Sequence, residues 1–209
     1  AGDAGAITTN DADIARRIRQ LAVHGMPRRY LHSELGYNSR LDALQAAVLN
    51  MKLPRLESWV LKRQNIASRY IELLDELPGL ELPKNIEKMD MEHTWNQFVV
   101  RVQSSSPEET YSKQDAKLVN ESVDGILKVN SRRDWLKNSL HDQGVHTIIY
   151  YPIPIHLQPA YKSLGYKEGS FPVAEKLCHE VLSLPIFPEI TIDQQNYVVH
   201  VIGQLLHSI

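Results

Sequence analysis

Residues 36–48, GYNSRLDALQAAV, join a polar turn to a helix with unusually small side chains. One face of the helix has apolar residues at helical spacing: Leu41, Leu44, Val48 and Met51. The flanking faces have only small side chains: Ala43, Ala46 and Ala47. Small side chains let another backbone approach closely, so this helix is expected to contact a neighbour. The turn before it would offer Asn38, Ser39 and Arg40 to that contact.

The composition provides enough apolar residues for a sizeable core. The chain has 209 residues, of which 43% are hydrophobic, and a formal net charge of -2. This length suits one or two domains. The charge does not favour nucleic acid or an anionic membrane, and no apolar run approaches the roughly 20 residues of a membrane span. We therefore expect neither partner.

Metal and thiol chemistry are not indicated by the sequence. Its 9 histidines occur without CxxC, HxxxH or HExxH spacing, so no metal site is predicted. The single cysteine, Cys178, falls in an apolar helical stretch. A reduced, buried thiol is favoured there over a nucleophile.

The amino-terminal part predicts a strand, a helix and a loop before the small-faced helix. A short strand at 6–9 precedes a helix that Asn10 caps and Gly25 ends. Two aspartates in the first turn of this helix favour its amino terminus. Residues 24–37 are basic and aromatic with little periodicity, which indicates a loop.

The remaining residues predict helices and strands in alternation, which argues for an α/β fold. The final helix begins with capping-box spacing between Thr191 and Gln194. The other predicted elements are a helix from Pro54 to the stop at Pro78-Gly79, a strand at 94–102, a helix at 131–144 and a strand at 145–150.

Residues 104–130 interrupt this alternation. They are polar, open with three serines and contain few apolar anchors. We predict a long surface loop with at most one weak helix, and we favour a neutral insertion over a regulatory element.

The stretch 36–48 matches the pattern G-x-N-x-R-x-D-x-L-Q-A-A, which resembles the signature of the DegT-type nucleotide-sugar aminotransferases. Further segments are similar to landmarks of that family and follow its usual order: GDAGAITTN at 2–10, YPIPIHLQPAY at 151–161, FPVAE at 171–175 and LPIFP at 184–188. On these segments the chain is identified as a member of the family, whose enzymes use pyridoxal 5'-phosphate and have the aspartate-aminotransferase fold.

The resemblance implies the carboxy-terminal half of a fold-type I transferase of the α/β class. Residues 1–53 would end the large cofactor-binding domain, 54–78 would link the domains, and 79–209 would form the small domain with an insertion at 104–130. In the family the Schiff-base lysine lies upstream of the GDxG segment. The resemblance therefore implies no catalytic residue in this chain, which alone is expected to be inactive, either as part of a longer protein or as a natural remnant.

A cofactor contact is implied for Asn38. In the family this asparagine reaches into the neighbouring subunit and binds the cofactor phosphate, which implies a homodimer with shared active sites. A neutral amide can donate to a phosphate oxygen without neutralising it. The alternative for Asn38 is a turn residue preceding a helix.

Three candidate substrate contacts share the predicted loop. Arg28, Arg29 and His32 belong to a segment that, in the family, lies near the dimer interface and the nucleotide-sugar site. Arginine has a planar fork of donors that suits phosphate. A solvated basic loop is the alternative.

Three more candidates lie outside that loop. Arg40 would serve an anionic group, or would pair with Asp42 or Glu34 at the surface. Tyr151 and His156 flank a Pro-x-Pro turn that the family uses near the sugar. A histidine of the core is the alternative for His156.

The resemblance also implies a reaction. An amino group would pass from glutamate to a keto group of a dTDP- or UDP-linked deoxyhexose, and Ala4 in the GDAG form resembles members that act on 3-keto sugars. The alternatives are a sugar 3-dehydratase, in which histidine replaces the lysine, and a truncated paralogue that acts as a binding or oligomerisation module. A cytoplasmic location is expected.

Overall fold

The computed structural model describes residues 2–83, 93–103 and 132–207, and the chain divides into two compact units, Ala1–Glu57 and Ser58–Ile209. The insertion predicted at 104–130 lies outside the described residues. The three-part domain division proposed from the sequence stays a prediction.

The first helix of the first unit, α1, spans Ala12–Ala22 and begins at Asp11. The Asp11 carboxylate accepts hydrogen bonds from the N–H groups of Asp13 and Ile14, at 2.8 and 3.0 Å. The cap predicted at Asn10 is therefore wrong by one residue, because both side chains suit this role and the local backbone selects the second.

The second helix, α2, spans Ala43–Lys52 and continues into a 3-10 turn, Leu53–Arg55. Its apolar side chains are exposed: Leu44 is 82% and Met51 76% accessible. Residues 6–9 form no strand in the part of the chain that the structure describes. A strand requires a neighbour for its backbone groups, and none is described beside them.

The second unit contains a three-stranded antiparallel sheet. Its strands lie in chain order and are β1 (Leu80–Glu81), β2 (Phe98–Val102) and β3 (Val181–Leu184). Phe98 of β2 lies opposite Leu184 of β3. Alternate residues of β2 are buried, as expected for a strand with one face on the core.

Helices cover this sheet, which confirms the α/β class. Helix α6 begins with the predicted capping box: the Thr191 N–H donates to Gln194 Oε1 at 2.9 Å, and the Gln194 N–H donates to Thr191 Oγ1 at 3.2 Å. The helices are α3 (Leu56–Leu74), α4 (Arg132–Asp142), α5 (Pro172–Glu180) and α6 (Ile192–His207).

The core of this unit lies between α3, α6 and the sheet. The Tyr70 ring packs on Phe98 with ring centroids 5.1 Å apart, and the Tyr70 hydroxyl donates to the carbonyl of Pro185 at 3.0 Å. Burial raises the pKa of the Tyr70 phenol. The largest fully buried side chains are Tyr70, Phe98, Leu74, Leu136, Leu140, Leu182, Ile202, Val100 and Val102.

The strand predicted at 145–150 is wrong. Only Ile148 pairs there, through one antiparallel bridge with Ser183 of β3, and its side chain is 52% exposed. The β-branched composition of this run favours a strand, but β3 is only four residues long and offers it a single pairing position.

The Tyr70 hydroxyl can be tested with Tyr70→Phe, which keeps the ring and removes the donor. We expect the free energy of unfolding to fall by about 1–2 kcal/mol, because the hydrogen bond from the buried Tyr70 side chain to the half-buried Pro185 carbonyl is lost. Tyr197→Phe is the matched control: its hydroxyl also donates to a carbonyl, that of Gln143 at 2.9 Å, but at an exposed position. Water replaces that bond, so the free energy of unfolding of the control should change by less than about 0.5 kcal/mol. Equal losses in urea denaturation would contradict this account of the core.

Candidate functional site

The loop between α1 and α2 is closed by backbone hydrogen bonds at its base. Three N–H groups donate across it: His24 to the carbonyl of Tyr37 at 2.8 Å, Tyr37 to that of Leu21 at 2.7 Å, and Ser39 to that of Ala22 at 2.9 Å. The chain on either side of Asn38 is thereby bonded to the end of α1.

Two glycines permit this closure. A Cβ on Gly36 would lie 2.1 Å from the backbone nitrogen of Gly25, and a Cβ on Gly25 would lie 2.1 Å from the carbonyl oxygen of Glu34. Gly25 also has a φ of +70°, which L residues with side chains rarely adopt. The base of the loop is therefore packed backbone against backbone.

Asn38 and Arg40 are joined by a hydrogen bond on the exposed surface of this turn. The Arg40 Nε–H donates to Asn38 Oδ1 at 2.9 Å. This bond orients the amide, whose NH₂ group carries two N–H donors. A neutral donor and a guanidinium thus lie side by side.

The other predicted contacts of the first unit lie in the closed loop. His32 Nδ1 is 2.9 Å from the carbonyl oxygen of His24, so Nδ1 carries the proton and donates. The Arg29 guanidinium lies 4.8 Å from the ring centroid of Tyr30, in cation–π geometry. Arg28 is exposed, and its carbonyl accepts from the N–H of Leu31 at 3.0 Å.

His156 is held by a carboxylate in the second unit. Its Nε2 lies 2.9 Å from Glu175 Oε1, and both side chains are largely buried. The same carboxylate accepts from the N–H of Gly169 at 2.7 Å and from that of Phe171 at 3.0 Å. These backbone bonds, with a smaller contribution from His156, lower the pKa of the Glu175 carboxyl.

Tyr151 and His156 line one cavity of about 540 Å³. Its walls are mainly aromatic and aliphatic, and the His156 ring meets Phe171 edge to face with centroids 4.8 Å apart. Cys178 on α5 also lines the cavity; it is a free thiol, and burial raises its pKa.

The structure thus groups the predicted residues into local sets. Asn38 is bonded to Arg40, the loop carries Arg28, Arg29 and His32, and the cavity holds Tyr151 and His156. Sequence reasoning missed Glu175. A proline at the first position of a helix with an acid in its first turn is the available signal for such a residue.

The described residues, 2–83, 93–103 and 132–207, contain neither a metal-binding cluster nor a membrane-spanning helix. No group of three or more His, Cys, Asp or Glu side chains is arranged to hold a metal ion there. In the same residues, no helix has the length and apolar character needed to cross a bilayer.

The fold and these segments match one protein family. The model of the DegT/DnrJ/EryC1/StrS aminotransferase family matches residues 1–125 and 121–203. The chain therefore belongs to this family, as the signature at 36–48 predicted.

Its relatives include proteins with different descriptions. The chain is 40% identical over 205 residues to a "pleiotropic regulatory protein" of Geobacillus stearothermophilus, covering 97% of this chain and 47% of the relative. It is 37% identical over 189 residues to dTDP-3-amino-3,4,6-trideoxy-alpha-D-glucose transaminase of Streptomyces venezuelae, covering 90% and 42%. The chain spans about half the length of the curated relatives it matches.

Solved structures share its fold. DesV of Streptomyces venezuelae, crystallised in complex with a ketimine intermediate, superposes with a TM-score of 0.78 at 34% identity, over 96% of this chain and 46% of that one. NtdA of Bacillus subtilis with bound cofactor PMP gives 0.72 at 26% identity, over 95% and 41%. The chain has the fold of part of each of these proteins, which confirms the predicted fold type.

The packing at Gly36 predicts the behaviour of Gly36→Ala. The added Cβ would lie within 3 Å of three backbone atoms, whereas Gly5→Ala meets nothing within 4 Å. We expect Gly36→Ala to open the loop and to speed tryptic cleavage after Arg28 or Arg29 by about 10-fold or more, since each 10-fold in the open population is about 1.4 kcal/mol. Gly5→Ala should be cleaved at the wild-type rate. Wild-type cleavage of Gly36→Ala would show that the glycine contact does not close the loop.

Proposed function

We propose that this chain is the carboxy-terminal part of a pyridoxal phosphate dependent nucleotide-sugar aminotransferase. The observation that carries the proposal is the Arg40 to Asn38 hydrogen bond within the family signature. Membership of an aminotransferase family and the transaminase names of its relatives support the proposal.

The Asn38–Arg40 pair fits a phosphate group. A phosphate dianion offers only acceptors, and the Asn38 amide, whose oxygen accepts from Arg40, carries two N–H donors on its nitrogen. Arg40 uses Nε for that bond, and its remaining N–H groups and positive charge stay beside the amide. In this proposal Asn38 and Arg40 hold the cofactor phosphate from one side.

The cofactor supplies an electron sink when it is bound, while the protein supplies binding and orientation. The closed base of the 24–37 loop prevents the Asn38 backbone from moving away from α1. The amide therefore offers its donors with little further ordering, which preserves more of their binding energy.

We propose that the site is shared between two subunits of a homodimer. The exposed apolar side chains of α2, such as Leu44 and Met51, support this assembly because large exposed apolar residues mark interaction surfaces. Their burial against a second copy would bring the Asn38 turn to the cofactor of the partner. Retention of the cofactor would then depend on dimerisation.

The substrate residues divide by chemistry. Arg28, Arg29 and His32 supply cations and an imidazole for the diphosphate of a dTDP- or UDP-linked sugar. Tyr151 and His156 face a cavity suited to the sugar itself. Glutamate as the amino donor and a 3-keto sugar as the acceptor complete the proposed reaction.

A regulatory or binding protein is the second candidate, because the relative from Geobacillus stearothermophilus is described as a pleiotropic regulatory protein. An assay of the complete protein with pyridoxal phosphate, glutamate and a dTDP-3-keto-6-deoxyhexose separates the two. An aminotransferase forms 2-oxoglutarate and amino sugar in equal amounts. Binding of the nucleotide sugar without 2-oxoglutarate would favour the second candidate.

The role of Asn38 predicts weaker cofactor binding in Asn38→Ala. Loss of a hydrogen bond to a charged group is worth roughly 1.5–3 kcal/mol, so the dissociation constant of pyridoxal phosphate should rise about 10- to 150-fold. Asn38→Asp should weaken binding further, because a carboxylate repels the phosphate. Asn50→Ala, an exposed substitution on α2, is the control and should bind normally.

The measurement is equilibrium dialysis of the complete protein, with the dimer checked by sedimentation. Unchanged affinity in a dimeric Asn38→Ala protein would remove Asn38 from the phosphate site. Equal losses in the Asn50 control would indicate damage to α2 instead.

A further inference from the structure

The Glu175 carboxylate determines which nitrogen of His156 carries a proton. Its two oxygens are surrounded by three donors: the Gly169 N–H, the Phe171 N–H and His156 Nε2. The backbone bonds lower the pKa of this carboxyl, so it is ionised at neutral pH and can only accept. His156 Nε2 must therefore donate.

A neutral imidazole with a protonated Nε2 has a lone pair on Nδ1. In the part of the chain that the structure describes, this Nδ1 has no hydrogen-bond partner. The ring itself cannot turn freely, because Glu175 holds one side and Phe171 lies edge to face at 4.8 Å. In its neutral form His156 is thus an oriented acceptor among the residues that line the cavity.

The cavity has the size and composition of a small-molecule site. Its volume of about 540 Å³ falls within the range usual for ligand pockets, which combine apolar walls with a few placed polar groups. Its exposed lining is almost entirely apolar, and the lining residues with a nitrogen or oxygen in the side chain are His156, Tyr151, Tyr161 and Tyr166. Mainly apolar walls suit the apolar face of a ligand, and His156 can supply one directed hydrogen bond to it.

We propose that Glu175 is a positioning residue that holds His156 so that its Nδ1 accepts a hydrogen bond from a hydroxyl of the hexose of a nucleotide sugar bound in this cavity. The identity of the ligand rests on the proposed function. The sugar ring has an apolar face for the aromatic walls and hydroxyl donors for Nδ1. Glu175 touches no substrate and acts through the imidazole.

Two substitutions at His156 distinguish the role of Nε2 from that of Nδ1. In His156→Gln the amide nitrogen reaches the place of Nε2 and keeps the bond to Glu175, but no acceptor remains at the place of Nδ1. In His156→Asn the shorter amide can supply an acceptor near Nδ1 but loses Glu175. At Glu175, the Gln substitution keeps one oxygen for His156 and Phe171, whereas Ala removes all three bonds.

Binding of dTDP-glucose and of dTDP alone to the complete protein, measured by calorimetry, tests the proposal. Loss of one neutral hydrogen bond predicts that His156→Gln binds dTDP-glucose about 3- to 10-fold more weakly and binds dTDP unchanged. The affinity of Glu175→Gln for dTDP-glucose should lie between those of wild type and Glu175→Ala. The conservative substitution would thereby rescue part of the affinity that Ala loses. Glu168→Gln removes a nearby exposed carboxylate and should bind both ligands normally.

Kinetics provide a readout that a purely structural role would not change. In an active enzyme, His156→Gln should raise KM for the nucleotide sugar and leave KM for glutamate unchanged within about 2-fold, whereas a misfolded fraction lowers the apparent kcat and leaves both KM values unchanged. Nitrogen-15 spectra of labelled histidine test the tautomer directly, without substrate. At a pH where the imidazole is neutral, wild type should show a protonated Nε2 and an unprotonated Nδ1, and Glu175→Ala should lose this preference.

The outcomes distinguish this site from the proposed reaction. Unchanged dTDP-glucose affinity in His156→Gln, equal weakening of dTDP and dTDP-glucose, no binding of dTDP-glucose by wild type, or a protonated Nδ1 would each overturn the proposal. Selective weakening in a protein that forms no 2-oxoglutarate would retain the sugar site and reject the aminotransferase.

Discussion

The close approach of Gly25 and Gly36 is the constraint on which the proposed cofactor contact depends. Residues 21–25 and 36–39 can exchange backbone hydrogen bonds only because neither glycine has a Cβ at this contact. The backbone of the signature turn is thereby bonded to the end of α1, and these bonds fix the backbone position of Asn38. The bond from Arg40 then orients the Asn38 amide. The absence of a Cβ at the two glycines therefore helps to determine where the two N–H donors of Asn38 lie.

In the second unit, hydrogen bonds to one carboxylate order the residues near the cavity. The Glu175 carboxylate accepts two backbone hydrogen bonds from the turn before α5 and one side-chain hydrogen bond from His156. The core beneath it is conventional, with the alternating buried residues of β2 against α3 and α6. In both units a polar side chain has one atom bonded within the protein: Asn38 Oδ1 to Arg40, and His156 Nε2 to Glu175.

Local signals in the sequence were predictive where the interaction is local. The Thr191 and Gln194 capping box closes within one turn, and the signature at 36–48 identified the family and the turn that carries Asn38. The strand β3 was missed because its pairing partner, β2, is about 80 residues away in the chain. Glu175 was missed for the same reason, since His156 lies 19 residues before it and no spacing rule connects them. The cap of α1 was misplaced by one residue because asparagine and aspartate are both favoured at the N-cap, so the sequence alone does not choose between Asn10 and Asp11.

The most direct test of this account is a crystal structure of the complete protein with pyridoxal phosphate bound. In that structure Asn38 Nδ2 should lie about 2.7–3.2 Å from a phosphate oxygen of the cofactor held mainly by the partner subunit. Arg40 Nε should remain bonded to Asn38 Oδ1 in that structure. A phosphate bound entirely within one subunit, with the Asn38 amide directed to solvent, would contradict the shared site and the role assigned to the signature turn.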